Sequence, residues 1–152
     1  MAEDRYGKDW PYYGKIDVWG SQPADHCTGN EWGGCFKEAY ASNIVNPIQS
    51  ARLRTERSLS FRYGRMEIEA KLPKGDWLWP ALWLLPKYQK YGVWPTSGEI
   101  DLMEARGNAN LLDAAGNEIG ISTMGFAVHF GPSKTENGYP TAINDKYFEL
   151  IH

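Results

Sequence analysis

The chain predicts an all-β sandwich or jelly roll, and three observations carry that expectation. Its composition is aromatic and turn-rich: 14% of the 152 residues are Phe, Trp or Tyr, with 7 Trp and 9 Tyr beside 16 Gly and 9 Pro. From Ile48 onward, short apolar or alternating runs recur, each closed by Gly, Pro, Asn or Asp, which is the pattern of strands joined by turns. No stretch holds a convincing helical periodicity. The length fits one ordinary domain, residues 1–152, with room for a core.

Residues 1–47 read as loop-dominated, since PYYG, SQPADHC and TGNEWGGC all carry turn chemistry. Segment 61–72, FRYGRMEIEAKL, alternates: Met66, Ile68, Ala70 and Leu72 fall on one face, Arg65, Glu67, Glu69 and Lys71 on the other. Period two over that length predicts a half-buried strand, with helix the weaker reading. A turn at Pro73-Lys74-Gly75-Asp76 follows. The aromatic run WLWPALWLLP is then bounded by Pro80 and Pro86, which leaves a strand of about six residues. A loop leads into EIDLMEARGN, and further strands are expected near 120–130 and 146–151.

Charge and cysteines narrow the function classes. Sixteen basic against nineteen acidic residues give a net charge of −3 and a pI near 5.6, which disfavours nucleic acid and anionic membranes as partners. No apolar run approaches the ~20 residues of a membrane span. Cys27 and Cys35 enclose TGNEWGG, while His26, His129 and His152 are scattered, so zinc lacks a ligand set. A local disulfide fits better and would contribute roughly 2.5 kcal/mol in the chain-entropy model. Two free buried thiols are the alternative. A disulfide implies an oxidising, extracellular compartment, yet MAEDRYGKDW has no apolar leader region. The expectation is a cytosolic protein or a chain that lacks its true beginning. YFELI, a strand-like run just before His152, points the same way at the other end.

The segment EIDLMEA concentrates the acidic chemistry in Glu99, Asp101 and Glu104. On a regular strand Ile100 and Leu102 face the core, Glu99 and Asp101 face outward, and Glu104 is turned inward. Burying an unpaired carboxylate costs several kcal/mol. We therefore expect one extra residue, a β-bulge near Leu102-Met103, that returns Glu104 to the face of Glu99 and Asp101. Crowding three acids should raise the pKa of at least one. A protonated acid beside an ionised one is the equipment of glycoside hydrolysis; a solvated acidic face and a calcium site are the alternatives.

PIQSARLRT, FRYGRMEIEAKLPKGDWLWPALWLLP and WPTSGEIDLMEARGN together resemble glycoside hydrolase family 16, in particular the animal endo-β-1,3-glucanases (laminarinases) and the related β-1,3-glucan-recognition proteins. The resemblance implies a concanavalin-like jelly roll, of which this chain is an incomplete, partial catalytic domain. It implies Glu99 as nucleophile, Glu104 as general acid/base and Asp101 as the neighbour that tunes Glu99. It assigns Trp79, Trp83 and Trp94 to the sugar cleft, where aromatic planes stack on sugar rings, against the alternative of core packing. Arg65 matches an arginine near the scissile subsite, with a surface ion pair to Glu67 or Glu69 as the alternative. His129 matches a histidine beside the carboxylates, with a core role as its alternative. Trp32, Trp77 and Tyr91 receive no assignment.

The function these readings imply is retaining hydrolysis of internal β-1,3-glucosidic bonds by a secreted monomer that needs no cofactor and no metal. Its rival is a non-catalytic β-1,3-glucan receptor of innate immunity, and a calcium-binding acidic β domain is a third reading.

Overall fold

A computed structural model describes residues 2–21, 27, 30, 33–48 and 50–148. The chain forms two compact units, Met1–Arg54 and Thr55–His152. Among the described residues, no helix is long and apolar enough to cross a membrane.

The first unit holds two short helices, α1 (Ala2–Tyr6) and α2 (Trp10–Tyr13), and two three-residue strands, β1 (Lys15–Asp17) and β2 (Phe36–Glu38), paired antiparallel. The loop reading of residues 1–47 thus misses these elements. Pro11 sits in the first turn of α2, where its missing N–H costs nothing, and Tyr6 stacks on Trp10 with centroids 4.7 Å apart. The interior is small: Val45 and Cys35 are fully buried, and the Val45 N–H donates to the Pro11 carbonyl. Cys35 is joined to Cys27 in the expected disulfide, with Cα atoms 5.4 Å apart. Asn30, inside that loop, accepts the N–H groups of Cys35 and Phe36 on one side-chain oxygen, which steers the chain into β2. Trp32 and His26 lie outside the described residues.

The second unit is one antiparallel sheet of four strands in sequential order: β3 (Ala81–Leu84), β4 (Glu99–Ala105), β5 (Thr123–His129) and β6 (Ile143–Tyr147). The all-β expectation holds. β3 is shorter than the six residues expected, because Pro80 and Pro86 bracket it and neither can donate to a ladder. Backbone bonding to β4 nonetheless continues past its start, from Ala105 to the Pro80 carbonyl and from Gly107 to that of Leu78. The last strand lies earlier than the expected 146–151, whose final residues 149–151 fall outside the described ones.

Two expectations require correction. Residues 61–72 form no strand and stay almost wholly exposed. Alternation marks a segment that can be half-buried in a sheet, but a strand also needs a partner for its N–H and C=O groups, and among the described residues none pairs with this one. Ile100 does not enter the core either; it is 47% exposed, and Leu102 is only half-buried, while Met103, Ala105 and Ala127 are buried. Ile100 shares its face with Leu84 and Val128 across the ladders. Val128 is exposed too, as is Phe126 on the same face. The pattern chose the apolar side of the strand correctly, but among the described residues of this unit no second sheet covers it.

Candidate active site

Strand β4 carries the expected bulge. Against β3, Met103 pairs with Leu82 but Asp101 pairs with Trp83, so Leu102 has no counterpart. Against β5, Asp101 pairs with Ala127 and Glu104 with Gly125, three steps along β4 facing two along β5. Cross-strand partners share a face, and side chains two apart on one strand share a face. Glu99, Asp101 and Glu104 therefore lie on one side, opposite His129, Ala127 and Gly125 on β5, with Asp101 and Glu104 also opposite Trp83 and Ala81 on β3. Were Leu102 taken up in regular alternation and not in a bulge, Glu104 would project with Ile100 on the apolar face.

The three acids are not equivalent. Asp101 is 3% exposed, which corrects the expectation that it faces outward with Glu99. His129, directly beside it, covers it: the ring Nε2 stands 3.2 Å from Asp101 Oδ2. Burial, then the negative charge of Glu99 and a hydrogen bond shared with Glu99, push the Asp101 carboxyl up to about 6, while His129 opposes the rise. The crowding argument anticipated a raised acid; withdrawal from water is the larger cause.

Glu104 is held differently. The Trp79 indole N–H donates to its Oε1 at 2.9 Å, and the Arg106 guanidinium lies over the Trp79 ring, 5.2 Å from its centroid. Arg106 is itself anchored by donating to the Ile119 carbonyl. One carboxylate oxygen of Glu104 is thereby held. Trp79 is 57% exposed, so a ring plane remains open beside that carboxylate.

His129 packs against two aromatic rings. Trp94 leans on it at a centroid distance of 5.3 Å and an angle of 49°, and Tyr139 stacks at 5.0 Å and 24°. Its Nδ1 meets the side-chain amide of Asn137 at 2.9 Å. Trp94 Nε1 is buried with no hydrogen-bond partner among the described residues.

Of the sequence-derived candidates, the sheet thus gathers Glu99, Asp101, Glu104, Trp79, Trp83, Trp94 and His129. Arg65 stands apart on the exposed segment, ion-paired with Glu67. Trp77 and Tyr91 are exposed. Arg106, Asn137 and Tyr139 escaped the sequence reading. Arg106 sits two residues beyond Glu104, the one local signal available. Asn137 and Tyr139 reach His129 through a loop, and Asn137-Gly138 signalled only a turn. Among the described residues, no group of three His, Cys, Asp or Glu side chains could hold a metal ion.

Fold and site together define an all-β protein whose central strand presents crowded carboxyls beside exposed aromatic planes. Known proteins are similar to this chain in sequence. A β-1,3-glucan-binding protein of Penaeus monodon is 50% identical over 127 residues, 83% of this chain and 33% of that protein. A glucan endo-1,3-beta-glucosidase of Niallia circulans is 59% identical over 65 residues, 43% of this chain and 10% of that protein. One from Cryptopygus antarcticus is 48% identical over 66 residues, 41% of this chain and 24% of that protein. The chain belongs to this family of laminarinase-like glucanases and glucan-binding proteins, and it spans a third or less of the length of these three relatives. No family model matches the chain, and no solved structure does.

Proposed function

We propose that this chain is part of a family 16 catalytic domain, a jelly roll when complete, that hydrolyses internal β-1,3-glucosidic bonds with retention. The observation that carries this reading is the bulge at Leu102, which sets Glu99 and Glu104 on one face of the sheet with Asp101 between them. Glu99 attacks the anomeric carbon as the bond to the leaving sugar breaks, and Glu104 gives its proton to the leaving oxygen. A water then yields a proton to Glu104 and displaces Glu99 from the same carbon, so configuration is retained. Asp101 shares a hydrogen bond with Glu99 and orients it. Trp79, Trp83 and Trp94 supply planes for sugar rings. The disulfide supports a secreted protein.

One observation favours a second reading, glucan recognition without cleavage: the relative matched over 83% of this chain is named a glucan-binding protein. Glu99 and Glu104 on one face of β4 favour hydrolysis. Incubating the protein with laminarin and measuring reducing sugar separates the two. Under the hydrolase reading, Glu99→Gln and Glu104→Gln each lower kcat by about a hundredfold or more while laminarin binding persists. Equal and negligible sugar release by wild type and both variants, with binding intact, assigns the site to recognition.

A further inference from the structure

The geometry points to Asn137 as a positioning residue: its side-chain amide holds His129 in the tautomer that carries the ring proton on Nε2, facing Asp101.

The orientation of the amide follows from its own partners. Asn137 Oδ1 accepts the backbone N–H groups of Phe130 at 3.3 Å and Tyr139 at 3.1 Å. Two N–H donors on one atom identify it as the oxygen, so the atom facing the ring is the NH2 group. That group can only donate. His129 Nδ1, 2.9 Å away, must accept and carries no proton. In the neutral ring the proton then resides on Nε2, the nitrogen that stands 3.2 Å from Asp101 Oδ2.

The loop is built to keep this arrangement. The Gly138 N–H donates to the Phe130 carbonyl at 2.7 Å, which folds residues 130–138 back on the end of β5. A Cβ at Gly138 would run into the Phe130 ring, so the close approach requires glycine. Tyr139 and Trp94 both pack against the imidazole and oppose the rotation that would exchange its nitrogens. The chain of contacts therefore runs from loop to Asn137, to His129, to Asp101 and on to Glu99.

The consequence for catalysis rests on the proposed hydrolase reading; the tautomer itself does not. Two-bond 15N–1H correlation spectra of the labelled protein read it directly, with His129 assigned by its loss in His129→Gln. The expected wild-type spectrum has an unprotonated Nδ1 and a protonated Nε2. Asn137→Asp keeps an acceptor for the two backbone N–H groups but turns an acceptor towards the ring, and should move a proton onto Nδ1. Asn137→Ala should leave both tautomers populated. On laminarin, Asn137→Asp should lower kcat by about tenfold or more with KM changed less than about twofold, as expected when a group beside the reacting centre is misoriented. A wild-type proton on Nδ1 overturns the inference, and so does a tautomer unmoved in both variants. Should a variant not fold, the wild-type spectrum still decides. If wild type releases no sugar, the hydrolase reading fails while the spectra still test Asn137.

Discussion

Two segments of this chain alternate by residue type, and they meet different fates. Residues 61–72 keep Met66, Ile68, Ala70 and Leu72 on one face without interruption, and they form no strand. Strand β4 breaks its alternation at Leu102 and lies paired on both sides at the centre of a sheet. Regularity of pattern is thus the poorer guide. What distinguishes β4 is neighbours on both edges, and the price of the irregularity is one unpaired residue that keeps a carboxylate off the apolar face.

The hardest test of that contrast truncates one methionine in each segment. Met103→Ala empties a buried position on β4. The expected cost is about 3 kcal/mol or more, seen as a large fall in the urea midpoint. Met66→Ala, on the exposed unpaired segment, should change stability by less than about 0.5 kcal/mol. Comparable losses in the two variants would show that 61–72 is paired in solution and would erase the distinction.

A smaller effect distinguishes burial from crowding as the stress on β4. Burial holds the Asp101 carboxyl at about 6 in the folded protein, against the 3.8 of an unperturbed aspartate. Between those values the folded state binds more protons than the unfolded one, so stability falls as pH rises through the window from about 4 to 6. The shift corresponds to on the order of 3 kcal/mol at most. Asp101→Asn cannot ionise. Relative to wild type, its stability should improve by up to that amount between pH 4 and pH 7, and thermal melts across the range would show it. In Glu99→Gln the negative neighbour is lost, but the buried carboxyl remains, so most of the pH dependence should persist. Its disappearance in Glu99→Gln would make crowding the main cause.

These residues also show what the sequence could and could not disclose. The bulge was legible because Glu104 stands an odd number of positions from Asp101 and a regular strand would bury it. The sheet itself was legible from the run between Pro80 and Pro86 and from the short strands expected in EIDLMEA and near 120–130. The location of water was not. Whether Ile100 is covered and Asp101 exposed depends on what lies across each face, and composition does not encode that. The partners of His129 were hidden for a related reason: Asn137 and Tyr139 are brought back by a turn, and loop closure leaves no periodic trace.

The Trp79 hydrogen bond offers a finer probe of the same face. Trp79→Phe keeps an aromatic plane and removes only the N–H that holds Glu104 Oε1. Since Trp79 is more than half exposed, water can replace much of that bond. We expect a stability loss of about 1 kcal/mol or less and, under the hydrolase reading, a roughly fivefold lower kcat with KM nearly unchanged. A rise in KM alone would assign Trp79 to sugar stacking only.

The smallest effect belongs to Arg65, the one candidate left on the unpaired segment. Its guanidinium pairs with Glu67 while 85% exposed, and such pairs contribute about 0–1 kcal/mol because solvent and salt screen them. Arg65→Ala should therefore change stability by less than about 0.5 kcal/mol, and the change should vanish in high salt. If Arg65 served only this pair, laminarin binding would be untouched as well. A tenfold weaker affinity in Arg65→Ala, without loss of stability, would mean that the alternation of residues 61–72 reports a surface that meets sugar. The contrast between the two segments would then lie in what each faces, with β4 turned to the bond that breaks and 61–72 to the rest of the polysaccharide.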